Sequence, residues 1–205
     1  MLAIAGGKGG SGKTTTTVGL ARELASRGTN PVVVDADCDM PDLHVVADAP
    51  LEPGLGAVAN GRTERGVHRG NRVPGVRVVP AGTAATAGPA LERLGGDDPI
   101  LVDCPAGASA AVGDVLRVAD RSLVVTTPDR QSLEDAAKTA AMARALDAPP
   151  VGAVLTRSTE RLPLEDLLDC PCVAATPPVE AGVLSETAVR QAYDRVVSHL
   201  QGQNV

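Results

Sequence analysis

Seven short apolar runs recur along the chain and alternate with longer segments in which apolar residues have helical spacing. The runs are rich in valine, show no alternation of polar and apolar positions, and are bounded by glycine, proline or aspartate. These features are typical of buried parallel strands. The predicted strands are Leu2–Ala5, Pro31–Asp35, Val76–Pro80, Ile100–Asp103, Ser122–Thr126, Val151–Thr156 and Val173–Ala175.

Helical patterns lie between these strands. In the first, Val18, Ala21 and Leu24 recur at helical spacing, and Gly28 is expected to end the helix. The alternation predicts an α/β fold with a mostly parallel sheet of about seven strands and helices on both faces. The predicted helices are Lys13–Arg27, Leu55–Asn60, Ser109–Val118, Ser132–Leu146, Leu164–Leu168 and Thr187–Leu200, with a further short helix around Leu91.

The length of 205 residues suits a single domain over residues 1–205, since no repeat or low-complexity linker interrupts the pattern. The net charge of −6 argues against a generally basic surface for nucleic acid. The first residues show no signal-peptide pattern, and no apolar run approaches the roughly 18 residues of a membrane span. The C-terminal segment VVSHLQGQNV offers no Phe, Trp or Lys for a lipid interface. We therefore expect a cytoplasmic protein without a stable membrane anchor.

A glycine-rich string, GGKGGSGKT at residues 6–14, follows the first strand and opens the first helix. From Gly7 to Thr14 it fits the P-loop pattern, in which glycines let successive N–H groups converge on phosphate oxygens. Lys13 would reach the β- and γ-phosphates, and the Thr14 hydroxyl would coordinate Mg²⁺. The chain has only three lysines, and two of them, Lys8 and Lys13, lie in this string. The predicted ATP-binding residues here are Gly7, Lys8, Gly9, Gly10, Ser11, Gly12, Lys13, Thr14 and Thr15.

The form KGGxGKT at residues 8–14 resembles the deviant Walker A motif of the MinD/ParA family of dimerising ATPases, and archaeal MinD-like members are the most similar. The resemblance implies the P-loop NTPase fold of that family and an ATP-bound homodimer. It also implies that Lys8 crosses the subunit interface to the partner's nucleotide. VVVDAD at residues 32–37 is similar to the family's first switch, and ILVDCPAG at residues 100–107 is similar to its Walker B strand and second switch.

The resemblance assigns roles residue by residue. Lys8, Lys13 and Asp37 would be catalytic, with Asp37 positioning the attacking water. Thr14, Asp37 and Asp103 would hold Mg²⁺, and Gly107 would sense the γ-phosphate. GTPases carry an Asn-Lys-x-Asp signature after a late strand, and here that strand ends in Thr156-Arg157-Ser158 without the Asp, so the implied nucleotide is ATP. Arg157 and the turn 176–178, which includes Pro177, are candidates for the adenine wall, although either could be loop structure.

The leading hypothesis is an ATP-dependent dimerisation switch that positions or partitions a cellular cargo and hydrolyses ATP to ADP and phosphate. A protein partner or activator is expected but not identified by the sequence. Three alternatives stay open: an ATP-dependent ligase that forms amides, a metal-cluster carrier ATPase, and a nucleotide-binding regulator without catalysis.

Three further groups of residues have competing interpretations. Cys170 and Cys172 form a C-x-C pair, for which packing is favoured over a shared metal or cluster site. The arginine-rich run from Arg62 to Arg77 is predicted to be a solvated surface, with contacts to DNA phosphates or an acidic partner as the alternative. Asp39, Asp42 and His44 are attributed to the first switch rather than to a separate metal site. All four cysteines, which include Cys38 and Cys104, are expected to be reduced.

Overall fold

The computed structural model describes residues 1–203 and places the strands in a single sheet. The strand order is β3-β4-β2-β5-β1-β6-β7-β8, and every neighbouring pair is parallel except β3 with β4. The predicted α/β fold with a mostly parallel sheet is therefore confirmed. The strands are β1 (Leu2–Ala5), β2 (Val32–Asp35), β3 (His68–Arg69), β4 (Arg77–Val79), β5 (Ile100–Asp103), β6 (Arg121–Thr126), β7 (Pro150–Thr156) and β8 (Cys172–Thr176).

Helices cover both faces of the sheet. The described helices are α1 (Lys13–Ser26), α2 (Leu43–Ala47), α3 (Leu55–Ala59), α4 (Thr63–Gly66), α5 (Gly88–Leu91), α6 (Ala110–Leu116), α7 (Arg130–Ala145), α8 (Glu165–Leu168) and α9 (Thr187–Gly202). One apolar layer joins α1, α2 and α9 to the sheet, and the opposite layers join α3, α5, α6, α7 and α8. None of the helices within residues 1–203 is long and apolar enough to cross a membrane.

The structure differs from the predicted elements mainly at the sheet edge and at helix starts. An eighth strand, β3, pairs antiparallel with β4, and the short helices α2 and α4 were not predicted. Helix α7 begins at Arg130 rather than Ser132, because the Asp129 side chain caps it by accepting the Ser132 N–H at 3.1 Å. Ser109 was predicted as the first residue of its helix but is the residue that caps α6.

The core is aliphatic, and its one large aromatic side chain is Tyr193 of α9, which is only 2% exposed. Helix α9 lies against α1 so closely that a Cβ added at Gly19 would overlap the Tyr193 ring. The hydroxyl groups of Tyr193 and Thr16 lie 3.5 Å apart. This contact fixes α1, and with it the loop that precedes α1, relative to the C-terminal helix.

The C-terminal segment considered in the sequence as a lipid-binding element is described only as far as residue 203. Its described part belongs to α9, which buries Val196, Val197 and Leu200 against the sheet. These apolar residues therefore contribute to the core. The remaining two residues, Asn204 and Val205, lie outside the described residues.

Candidate functional site

The glycine-rich string forms the connection from the carboxyl end of β1 to the start of α1. Gly6, Gly10 and Gly12 have positive φ angles of 124°, 76° and 91°, which side chains with a Cβ rarely adopt. At Gly6 a Cβ would also lie 2.6 Å from the Val125 carbonyl oxygen. The loop can take this path beside β6 only because these positions lack a side chain.

Neighbouring segments hold the loop in place from several directions. Thr156 donates its hydroxyl hydrogen bond to the Ser11 carbonyl at 2.6 Å, and the Arg157 guanidinium donates to the Gly10 carbonyl at 2.7 Å. The Gly107 N–H donates to the Gly7 carbonyl at 3.0 Å. These bonds occupy three carbonyl oxygens of the loop, and within the loop the Ser11 N–H donates to the Lys8 carbonyl at 3.2 Å.

Several groups at the start of α1 lack a partner and are suited to an anion. Lys13 is only 7% exposed, and within residues 1–203 it forms no ion pair. Gly12 precedes α1 without any side-chain cap, and the buried Ser11 hydroxyl has no hydrogen-bond partner in the described chain. A buried cation beside an uncapped helix N-terminus favours a ligand that carries several anionic oxygens. Lys13 and Thr14 line a pocket of about 320 Å³.

Three carboxylates lie at the carboxyl ends of β2 and β5, next to this pocket. Asp37 is half-buried and lines the pocket. Asp103 is buried, its carboxylate lies 3.4 Å from the Thr17 hydroxyl, and burial raises its pKa well above the usual range against an opposing hydrogen bond from Thr14. Asp35 was not predicted as a site residue. Burial raises its pKa to about 7, although its hydrogen bonds from the N–H groups of Asp37 and Leu43 act in the opposite direction.

A second pocket, of about 160 Å³, adjoins the first and shares Gly12, Thr15 and Arg157 with it. Its walls include both candidates for the adenine wall, Arg157 and the turn that contains Thr176 and Pro177. The pocket is also lined by Tyr193, Val179 and Val183, none of which was predicted as a site residue.

Lys8 takes a different direction from Lys13. Its ammonium group forms an ion pair with Asp129 at 3.0 Å, and both side chains are roughly two-fifths exposed, at 41% and 43%. Hydrogen bonds from the Thr127 hydroxyl, Lys8 and the Ser132 N–H lower the pKa of Asp129 to about 2. Lys8 is therefore at the rim of the site, where a second molecule could reach it.

The structure brings most of the predicted site residues to these two pockets. Gly7 and Gly107 meet through their backbones at the loop, whereas Lys8 points away from the pocket of its own chain. Asp42 and Met40 also line the pocket beside Lys13, and neither was predicted as a site residue. Residue spacing alone gave no signal for Met40, because only the fold of the loop after β2 brings it over the pocket.

The cysteines show no arrangement that indicates a metal site. All four are free, and Cys170 and Cys172 pack with Leu155, Leu164 and Leu168. Burial raises the pKa of Cys170 to about 11 and also raises that of Cys172. Within residues 1–203 there is no group of three or more His, Cys, Asp and Glu side chains that could hold a metal ion. The packing interpretation of the C-x-C pair accords with these contacts.

Comparisons with known proteins show a consistent similarity. Residues 2–169 match the family model described as the CobQ/CobB/MinD/ParA nucleotide binding domain. An uncharacterized ATP-binding protein of Methanocaldococcus jannaschii is 31% identical over 201 residues, which cover 86% of this chain and 73% of that protein. The septum site-determining protein MinD of a Synechocystis strain is 25% identical over 240 residues, covering 100% and 90%. The solved structure of MinD complexed with Mg-ADP from Pyrococcus horikoshii superposes with a TM-score of 0.86 at 24% identity, covering 99% and 96% of the two chains.

Proposed function

This chain belongs to the CobQ/CobB/MinD/ParA nucleotide-binding family, and we propose that it is an ATPase that uses ATP and Mg²⁺ to drive reversible dimerisation. The observation that carries the proposal is the buried Lys13, which has no ion-pair partner in the described chain and lies at the uncapped start of α1. Phosphate oxygens would accept from Lys13 and from the N–H groups at the start of α1. The neighbouring pocket walled by Arg157, Pro177 and Tyr193 would take the adenine.

The residues at the ends of β2 and β5 fit a magnesium ion. The Thr14 hydroxyl and the buried Asp103 carboxylate would hold it, with Asp37 at the pocket side, and oxygen ligands of this kind suit Mg²⁺. Burial raises the pKa of Asp103 well above its usual range, although the hydrogen bond from Thr14 and the charge of Lys13 act in the opposite direction. When bound, the ion would offset negative charge on the phosphates.

In the proposed reaction, water attacks the γ-phosphate and the products are ADP and phosphate. Asp37 would orient that water, since its carboxylate lines the phosphate pocket and is not enclosed as Asp35 is. Lys13 would balance charge on the transferred group. Gly107 would respond to the γ-phosphate through its N–H, which in this structure donates to Gly7.

Lys8 would complete the site of a second copy in the ATP-bound homodimer. Its ion pair with Asp129 is solvent-exposed, and exposed ion pairs contribute little to stability. The contact can therefore be exchanged for a partner's phosphate at small cost. We propose that residues 1–205 act as one domain in this cycle and that a protein partner binds the dimer or accelerates hydrolysis. The cycle would take place in the cytoplasm, where ATP is supplied.

The test is the molar mass in solution, measured by light scattering with Mg-ATP, Mg-ADP or no nucleotide. We expect Mg-ATP to double the mass of the wild type and to leave Lys8→Ala monomeric. Lys138→Ala is the matched control, because it removes the third lysine, which pairs with Asp135 on the exposed side of α7. Doubling is expected in this control as in the wild type. If the molar mass of every variant is the same with and without nucleotide, the proposed dimerisation switch is refuted.

A further inference from the structure

Another pocket, separate from the two described above, has arginine side chains in its wall and lies at the opposite end of the sheet from the proposed nucleotide site. Arg77, the first residue of β4, pairs in register with Val32, the first residue of β2. Strands β1 and β2 are both parallel to β5, so they run in the same direction. The P-loop follows the carboxyl end of β1, whereas Arg77 lies at the end of the sheet where these strands begin. The pocket beside Arg77 has a volume of about 500 Å³, and the polar side chains in its wall are those of Asn30, Arg69, Asn71 and Arg77. No Asp or Glu is among its lining residues.

Two arginines face each other at this pocket. Arg69 of β3 and Arg77 of β4 are directly opposite in the antiparallel ladder, so their side chains leave the sheet on the same face. Like charges in this arrangement destabilise a strand pair. An anion bound by both guanidinium groups would offset this repulsion.

The charge of this pair is only partly balanced by the protein. Arg77 donates to the Asn30 carbonyl at 2.7 Å and to the Asp98 carboxylate at 2.8 Å. Arg69 is exposed and forms neither a hydrogen bond from its side chain nor an ion pair with any of residues 1–203. Two guanidinium groups against one carboxylate leave a net charge of +1 in a chain whose total is −6.

The backbone around the pocket is already ordered without a ligand. In the connection from β3 to β4, the Gly70 N–H donates to the Val76 carbonyl at 3.2 Å, and the Val76 N–H donates to the Val73 carbonyl at 3.1 Å. The Asn71 N–H donates to the Asp48 carbonyl at 3.2 Å and ties the connection to the end of α2. These bonds hold the backbone that carries the two arginines, so only their side chains would have to be ordered on binding.

We propose that this pocket binds a small molecule that carries a phosphate group. The planar guanidinium group matches phosphate geometry through paired N–H donors, and the side-chain amides of Asn30 and Asn71 add neutral donors. The pocket is larger than inorganic phosphate alone requires, so it leaves space for the organic part of a phosphate ester. The proposal does not depend on ATP hydrolysis or on dimerisation. It gives a role to two members of the arginine-rich run, which the proposed ATPase does not use.

The experiment uses the full chain saturated with Mg-ADP, so that the P-loop is filled. Inorganic phosphate and, separately, ribose 5-phosphate are titrated at constant ionic strength while amide NMR shifts of Gly70, Asn71 and Gly75 are followed. We expect a saturable shift at these amides with both probes. Arg69→Gln should weaken binding about tenfold, because a charge-assisted hydrogen bond is lost. Arg69→Lys should fall between this variant and the wild type, since it keeps the charge without the paired donors.

Two control variants distinguish binding at this pocket from a general charge effect and from binding at the P-loop. Arg65→Gln removes the same charge from exposed α4, outside the pocket, and should change the affinity less than about twofold. Lys13→Ala, which impairs the P-loop, should leave the shifts at Gly70 and Gly75 intact. The proposal is overturned if the wild type shows no saturable shift, if Arg69→Gln binds like the wild type, or if Lys13→Ala abolishes the response.

Discussion

Asp35 and Asp37 are two residues apart, and their surroundings give them different tasks. Asp35 is fully buried and accepts hydrogen bonds from the N–H groups of Asp37 and Leu43, so it shapes the loop after β2. Asp37 accepts the Met40 N–H at 3.1 Å and still lines the phosphate pocket. Of these two residues, only Asp37 lines the pocket, so in the proposed reaction Asp37 is the one that would orient the water.

Replacing Asp37 with alanine should therefore separate binding from hydrolysis. We expect Asp37→Ala to reduce the rate of phosphate release at least about 100-fold, the usual size of a lost general-base contribution, while nucleotide affinity changes little. Asp39→Ala is the control, because it removes an equal charge from an exposed neighbour that does not line the phosphate pocket. Phosphate release and equilibrium nucleotide binding are measured in parallel. Hydrolysis at the wild-type rate in Asp37→Ala would refute the assignment.

Gly19 is the residue through which α1 and α9 approach each other. A Cβ at this position would overlap the Tyr193 ring, so Gly19→Ala should destabilise the fold by about 1 to 3 kcal/mol through overpacking. Gly113→Ala in α6 serves for comparison, since its Cβ would meet Arg117 and Leu146 at ordinary distances of 3.6 and 3.7 Å. That change should be neutral or stabilising by up to about 1 kcal/mol. The measurement is the urea concentration at the unfolding midpoint of each variant. Equal midpoints for the two variants would contradict the packing argument.

At the scale of elements, helices α1 and α7 begin in different ways. Asp129 caps α7 with its side chain, whereas Gly12 gives α1 no side-chain cap, and α1 has no acidic residue in its first turn. The first intrahelical bond of α1 runs from the Thr16 N–H to the Gly12 carbonyl. The N–H groups of residues 13–15 therefore have no acceptor within α1, and water or a ligand can supply one.

Nucleotide binding should protect one of these helix starts and not the other. With Mg-ADP, we expect amide hydrogen exchange at residues 13–15 to slow by about tenfold or more, because phosphate oxygens supply the missing acceptors. Exchange at residues 130–132 in α7, which is already capped, should change by less than about twofold. Exchange that is unaltered at both helix starts would show that the start of α1 does not receive the phosphates.

The long periodic elements were predictable from the sequence, and the short ones were not. Strands β2 and β5 were predictable because uninterrupted runs of apolar residues are typical of parallel strands that are buried on both faces. Strand β3 has only two residues, His68 and Arg69, and forms because the following connection returns it to β4. Helices α2 and α4 have five and four residues, too few for a periodic pattern or for stability outside the fold.

At the scale of the whole molecule, the two halves of the site differ in how they are encoded. The proposed phosphate half is a contiguous string, so its glycine spacing and Lys13 could be identified from the sequence. The proposed base half is assembled from Arg157 after β7, Pro177 after β8 and Tyr193 in α9. No local pattern relates three segments that only the sheet order and the packing of α9 bring together. Asp35 was not predicted as a site residue for a similar reason, because its burial depends on the loop that folds over it.

The position of Tyr193 has an optical consequence. The chain contains no tryptophan and no phenylalanine, and this is its single tyrosine, so all of its intrinsic ultraviolet emission originates from one ring. That ring lies in the wall of the pocket proposed for adenine, with its hydroxyl near Thr16. The unlabelled protein thus carries its own fluorophore at the place where nucleotide exchange would occur.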